Sequence, residues 1–231
     1  MNLNHLFRLG LATSFLVTAA CADTTEIDNK PAATVSAPSE DTAKAEPAPE
    51  AAADTAAAAA SGKVWKADVG TSSIGFLGAK VTATHPGGFS DFTGEATTTD
   101  GKLLSTRFEA QVASLWADKA DAAEGSMGYK LAGHLKSPDF FDAATHPVAT
   151  FSSTLIEYGE GNSATVTGNL SFAGKTNSVS FPATIEVTDD KVSAKADFKI
   201  NRKDWGLVYA GKPDDLIHDD VALNLDLHFV M

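Results

Sequence analysis

From Leu104 onward the chain repeatedly alternates apolar and polar residues with a period of two. Leu104, Thr106, Phe108, Ala110, Val112, Ser114 and Trp116 share one phase, and Ser105, Arg107, Glu109 and Gln111 the other. Ala164, Val166, Gly168, Leu170 and Phe172 make a second such run, and Val179, Phe181, Ala183, Ile185 and Val187 a third. Val192, Ala194, Ala196, Phe198 and Ile200 make a fourth, and Val221, Leu223, Leu225, Leu227 and Phe229 a fifth. Each is the signature of a strand with one buried face. Weaker strands fit Ser73 to Ala83, Phe89 to Thr98 and Val148 to Tyr158, about eight in all. Asp100-Gly101, Gly159-Glu160-Gly161-Asn162, Gly174-Lys175 and Asp189-Asp190 are hairpin material between them. Short local connections join antiparallel neighbours, so the pattern predicts an all-β closed barrel or sandwich. The exception is Asp118 to Pro147, where Ser137-Pro138-Asp139 predicts a helix start with Phe140 and Phe141 on that short helix. A second short turn is expected at Pro213 to Asp219.

Composition divides the rest of the chain. Residues 1–20 read as an export signal: Arg8 supplies the positive charge, Leu9 to Val17 the apolar stretch, and Thr18-Ala19-Ala20 the small residues before Cys21. Cys21, the one cysteine in the chain, stands where a bacterial lipoprotein carries its acylated residue. That resemblance implies lipid attachment at Cys21 and, with Ala22 after it, anchoring to the outer membrane from the periplasm. Ordinary cleavage near Ala20, giving a soluble periplasmic or secreted protein, is the alternative. Residues 21–62 are predominantly Ala, Pro, Glu, Asp, Ser and Thr without an aromatic, and from Ala22 to Gly62 eight acids face two lysines. Such a stretch buries too little apolar surface to offset its ordering entropy and is expected to be a disordered tether. Residues 63–231 are then the folded domain.

The inward phase of the strands mixes Phe108, Trp116, Phe172, Phe181 and Phe198 with Ala110, Ala164, Gly168, Ala183, Ala194 and Ala196. An eight-stranded barrel is either filled by its side chains or holds one small ligand. The small residues fit an apolar cavity, and they equally fit the taper of a packed barrel. A guest in such a cavity would be apolar, held mainly by burial.

Charge and motifs exclude several other classes. With 18 Lys and Arg against 30 Asp and Glu, a net charge of −12, the chain lacks the basic surface of a nucleic-acid binder. One cysteine cannot form an intrachain disulfide. His85, His134, His146 and His218 show no close metal-ligating spacing, and Asn201, Arg202 and Asp204 read as a hydrogen-bonded corner in preference to a catalytic or anion-binding set. No nucleophile elbow or phosphate loop is present.

Several ordered motifs resemble the YceI-like family of bacterial lipid- and polyisoprenoid-binding barrels. They are Trp65-Lys66-Ala67-Asp68 with Ser73-Ile74-Gly75-Phe76, Gly88-Phe89 through Phe92-Thr93-Gly94, the run His134 to Asp142, His146-Pro147 with Ala149 to Ser153, Val166 to Phe172 with Gly174 and Val179, and Ile200 to Gly206. Trp205 stands where Phe is common, and the acidic linker and lipoprotein signal are not part of the family domain. The resemblance implies a lipocalin-like, eight-stranded antiparallel barrel with a long apolar tunnel, carrying or storing an isoprenoid chain such as a quinone or polyprenyl lipid. The candidate ligand-binding set is Phe76, Phe108, Val112, Trp116, His134, Phe140, Phe141, Leu170, Phe172, Phe181 and Phe198, with His134 beside a ligand head group and Phe140 and Phe141 as plug or gate. No catalytic or metal set and no cofactor beyond the bound lipid is assigned. The expected partners are an amphiphilic lipid and, through the anchor, a membrane, with a homodimer left open. An enzyme using the same pocket and a packed-barrel interaction lipoprotein are the alternatives.

Overall fold

The structure is a computed structural model that describes residues 22–39 and 62–231. Each alternating run becomes a stave of one barrel. The first three staves are each interrupted once: β2 (Lys63–Ala67) with β3 (Ser73–Lys80), β4 (Ala83–Phe89) with β5 (Phe92–Thr99), and β6 (Lys102–Gln111) with β7 (Leu115–Ala117). The others are continuous: β8 (Val148–Tyr158), β9 (Ser163–Phe172), β10 (Lys175–Val187), β11 (Val192–Asn201) and β14 (Asp220–Val230). Successive staves pair antiparallel, and β14 closes the ring between β11 and the β2–β3 stave. The result is an eight-stave, up-and-down barrel, the closed alternative of the two that the pattern allowed.

One end, here called upper, carries the β3–β4 hairpin, the long connection 118–147 and the segment 202–219, which includes the small hairpin of β12 (Gly211–Lys212) and β13 (Asp215–Leu216). The lower end has tight turns only. At 100–101 both central residues, Asp100 and Gly101, have positive φ (50° and 73°), the geometry that the twist of a two-residue hairpin demands. Trp65 fills the lower end, fully buried, with its indole N–H donating to Thr98 Oγ1 at 2.8 Å.

The structure corrects four sequence expectations. Leu104 does not share the inward phase: a bulge where Thr97 faces Ser105 but Thr98 faces Leu103 turns Leu103 inward and Leu104 out. The Tyr158 hydroxyl satisfies that bulge, accepting from Leu103 N at 2.6 Å and donating to Leu103 O at 3.2 Å. A 3-10 turn at Val112–Ser114 resets the phase again, so Leu115 and Ala117 are buried and Trp116 lies across from Gly88 on the opposite face.

The helix in the long connection lies earlier than expected. Helix α2 runs Met127–Leu135, capped by the Ser126 side chain, which accepts from Tyr129 N at 3.2 Å. Ser137-Pro138-Asp139 starts a reversal instead, in which Phe141 N and Ala143 N return to Leu135 O and Lys136 O. Those bonds satisfy carbonyls at the C-terminal end of α2.

Part of the expected tether is ordered against the barrel. Residues 25–28 form α1 (Thr25–Asp28) and residues 34–36 form β1 (Thr34–Ser36). Ile27 is fully buried on the barrel's outer surface against Leu77, Ala79 and Ala222. β1 pairs antiparallel with β10, Val35 opposite Val179. Composition misses this because strand pairing supplies backbone hydrogen bonds that apolar content does not report. The expected signal, Cys21 and the remainder of the tether, 40–61, lie outside the described residues.

Candidate functional site: an apolar cavity in the barrel

The inward faces of the staves enclose a cavity of about 240 Å³ whose wall exposes only apolar surface. It extends down the barrel from Phe140, Phe141, Leu135 and Leu207 at the upper end to Leu103, Ile185 and Phe229 near the lower end. Small residues keep two stretches of wall smooth: Ala183 opposite Ala196 on β10 and β11, and Ala110 opposite Ala149 on β6 and β8. Ala164 and Gly168 do not border the space; Gly168 instead receives the Phe151 ring.

Glycines decide where two large rings lie. Phe76 sits directly opposite Gly87 and Phe108 opposite Gly94, and each ring is laid across its glycine. A Cβ on Gly94 would fall 2.3 Å from the Phe108 ring, so any side chain there pushes the ring toward the cavity. Gly94→Ala should therefore cost about 1–3 kcal/mol in a denaturant melt, the range of core overpacking, and narrow the cavity.

The upper end is closed by aromatic rings drawn from the connections. Phe141 meets Phe89 edge-on at 6.0 Å and Phe172 at 5.4 Å, and Phe172 stacks on Trp205 at 5.0 Å. Phe140 packs against Tyr209 and His134, at 5.5 and 5.1 Å. The Phe141 side of this cap is tied by the reversal described above, and the Trp205 side by bonds to the staves, with Trp205 Nε1 donating to Leu170 O and Asn177 Nδ2 to Asp204 O, each at 3.0 Å. The resemblance-bearing blocks His134 to Asp142 and Ile200 to Gly206 thus both contribute to this end.

Arg202 is the anchor of the second block. Its side chain is almost fully buried and donates to His218 O (3.0 Å), Ile217 O (3.4 Å), Leu207 O and Asp219 Oδ1 (3.2 Å). Asn201 Oδ1 accepts from Lys203 N at 3.0 Å and caps the 3-10 turn Arg202–Trp205. Asn201 and Arg202 thus build the corner read from the sequence, but the carboxylate that joins it is Asp219 and not Asp204, whose backbone carbonyl alone is used, accepting from Asn177. Burial lowers the pKa of Arg202, against the raising influence of Asp219. The Asp219 carboxyl is held below the usual carboxylate range, first by its hydrogen bond from Lys203, with the Lys203, Arg202 and His218 charges adding and desolvation opposing. A depressed folded-state pKa gives stability that is complete above the unfolded value, about 3.9, and is lost as pH falls through the folded one. Wild-type urea midpoints should thus fall below about pH 4, and Asp219→Asn should flatten that dependence.

Of the eleven candidate ligand-binding residues, Phe76, Phe108, Phe140, Phe141, Leu170, Phe172, Phe181 and Phe198 line the cavity. Three do not. Val112 is fully buried in the 3-10 turn, Trp116 faces away after the phase reset, and His134 is partly exposed with Nε2 3.0 Å from Asp139. The alternation already held other lining residues, namely Val179, Ile185, Ile200, Leu223, Leu225, Leu227 and Phe229. Phe151 lies on the weaker expected strand Val148 to Tyr158, and Leu207, outside every alternating run, is brought to the wall by the fold. Lys195 and Arg202 also border the cavity, while their charged ends bind Asp226 at 2.9 Å and the corner carbonyls. Among the described residues no cluster of three or more His, Cys, Asp or Glu could hold a metal ion. His85 pairs with Asp118 at 2.8 Å instead.

An up-and-down antiparallel barrel of eight staves, hollow and apolar within and capped by aromatic connections, is the class these features define. A family model of the YceI-like domain matches residues 65–229, and the chain belongs to that family. A UPF0312 protein of Pseudomonas putida strain GB-1 is 29% identical over 145 residues, 59% of this chain and 71% of the relative. A UPF0312 protein of Pseudomonas fluorescens strain SBW25 is 31% identical over 121 residues, 50% of this chain and 58% of the relative. Among solved structures, Burkholderia cenocepacia BcnA matches with a TM-score of 0.58 at 24% identity, covering 70% of this chain and 98% of that one. A Saccharophagus degradans domain, described as polyisoprenoid-binding and implicated in plant cell wall breakdown, matches with a TM-score of 0.56 at 14% identity, over 72% and 97% of the two chains. At these identities the solved structures share the fold.

Proposed function

We propose that the barrel binds and carries an isoprenoid-type lipid, a polyprenyl chain or the tail of a quinone, in the periplasm. The observation that carries this reading is a long cavity whose surface is apolar throughout, with charged groups turned out of it. Such a wall offers a guest burial and little else, worth ~0.8 kcal/mol per methylene, so a few isoprene units are held firmly without a polar contact. The description of the S. degradans domain as polyisoprenoid-binding supports the same class of guest. The polar head lies at the upper end, where Phe140 and Phe141 border the cavity from a connection and not from a stave.

Acylation of Cys21 belongs to this reading. Ala22, the next residue, donates its N–H to Val81 O at 2.7 Å on the β3–β4 hairpin, at the upper end of the barrel. A lipid on Cys21 would therefore hold the upper end of the barrel near the membrane that supplies an apolar guest. Native mass spectrometry of the full chain, purified from its own membranes in mild detergent, tests the proposal. One isoprenoid lipid per barrel is expected; folded protein that neither carries nor takes up such a lipid would sink it.

A further inference from the structure

The backbone ladder of the barrel is not continuous between β10 and β11, where the stacked rings of Phe181 and Phe198, 4.1 Å apart, close the wall behind the gap. The β10–β11 ladder runs from Val187–Val192 up to Ala183–Ala196 and stops. The next pair would place Pro182, which has no N–H to donate, opposite Asp197. Above that point the two strands are bridged by the N-terminal segment. Lys199 N donates to Pro31 O at 2.9 Å and Ala33 N to Lys199 O at 2.8 Å, parallel to β11. Thr34, Val35 and Ser36 then pair with Ser180, Val179 and Ser178 of β10. Ala33 and Val35 face inward onto the main core, and Thr34 and Ser36 face solvent. The residues flanking this seam, Val179, Phe181, Phe198 and Ile200, all line the cavity.

We propose that residues 31–36 are a detachable stave, and that its departure opens a side door between β10 and β11 through which the apolar guest reaches the cavity. This rests on the lipid-binding reading above. Four observations support it. The stave lies outside the family-matched stretch 65–229, so it is an addition to the YceI-like domain and not one of its eight staves. Its own ladder is short, three residues on β10 and one bridge on β11. Its side-chain fastenings lie on either side of it and not within it: Ile27 on the outer surface, Lys199 Nζ to Asp28 O at 3.2 Å, His218 to Asp28 at 3.6 Å, Lys30 to Asp197 at 2.8 Å, and the Asn169 side-chain amide with the Ser39 backbone at 3.1 and 3.2 Å. Finally, 22 residues, 40–61, separate Ser39 from Gly62, a contour of roughly 75 Å when extended, so the stave can leave without pulling on β2.

The test uses the full-length chain carrying Cys21→Ser, so that an added cysteine pair is the only one. Thr34→Cys with Ser180→Cys places a pair on directly opposite positions of an antiparallel ladder, at a spacing that a disulfide spans. Stopped-flow uptake of N-phenyl-1-naphthylamine, a neutral apolar fluorophore, is measured oxidised and reduced. The oxidised form should take it up at least about tenfold more slowly with equilibrium affinity unchanged, and reductant should restore the rate. Val35→Asp, which sets a charge in the seam, should accelerate uptake. Equal rates in the oxidised and reduced forms would overturn the side door while leaving lipid binding standing. No equilibrium uptake by the Cys21→Ser parent would instead strike the lipid-binding reading. Amide exchange serves if the bond does not form: Ala33 and Lys199 should exchange far faster than β8 and β9 amides, and exchange as slow as theirs would show that the stave never opens separately.

Discussion

Replacing Ala183 with Trp is expected to abolish binding of an apolar chain while leaving the barrel folded. Ala183 is on the inward face of β10, buried, opposite Ala196, and borders the cavity midway along β10. An indole there occupies space that the methyl leaves open. Overpacking normally costs about 1–3 kcal/mol, but at this site the ring meets a void in place of packed neighbours, so stability should change little. The guest loses whatever length the ring displaces. Excluding about four carbons at ~0.8 kcal/mol each removes roughly 3 kcal/mol, a hundredfold in affinity. Thr184→Trp, one residue along and exposed on the outer face, is the matched control. A fluorescence titration with N-phenyl-1-naphthylamine should show binding lost in the first variant and kept in the second. Full binding by Ala183→Trp, with the fold intact by circular dichroism, would mean that the guest lies elsewhere.

Arg202→Ala should be the most damaging single change to stability. The guanidinium is the common donor for the carbonyls of Leu207, Ile217 and His218 and for Asp219, and it ties the 3-10 turn after β11 to the segment entering β14. Truncation leaves these acceptors without their buried donor, and each hydrogen bond to a charged group contributes about 1.5–3 kcal/mol. Because the corner can relax toward water, a total near 3 kcal/mol is expected, seen as a melting point lower by about 6–12 °C. Arg202→Lys keeps the charge but not the fork and should fall between. Leu207 and Ile217 line the cavity, so the loosened corner should also speed release of the guest. A loss below about 0.5 kcal/mol, the range of an ordinary surface change, would show that the corner holds together without the arginine.

The staves were legible because a half-buried strand writes its period into the sequence. Val221 through Phe229 turn their alternate residues inward as the pattern requires. The pattern fails where backbone geometry, invisible to hydropathy, shifts the phase. Leu103 and Leu104 are both leucine, and only the bulge held by the Tyr158 hydroxyl decides which is buried. Trp116 loses the inward face to a 3-10 turn that its neighbours Val112, Ala113 and Ser114 do not announce. Helix α2 was obscured by Gly128 and Gly133, both poor helix formers, although Ser126 ahead of Leu131 and Leu135 offered a cap and an i,i+4 apolar pair. The N-terminal stave is the largest miss. Ile27 and Val35 are the only large aliphatic residues between Ala22 and Gly62, and both pack against the barrel. Two such residues in a stretch of Ala, Pro and acids mark docking points that average composition hides. The Arg202 corner, by contrast, was readable in Asn201 and Arg202, while its carboxylate, Asp219, lies 17 residues beyond Arg202 and is brought there by the fold in place of the neighbouring Asp204.

The central claim is that the interior of this barrel receives an apolar chain. An experimental electron-density map of the protein purified from a membrane-containing host tests it most directly. Continuous tubular density running down the axis, from beneath Phe140 and Phe141 toward Phe229, is the expected result. Side chains of opposite staves meeting across the axis, or lipid density confined to the outer surface, would contradict the account.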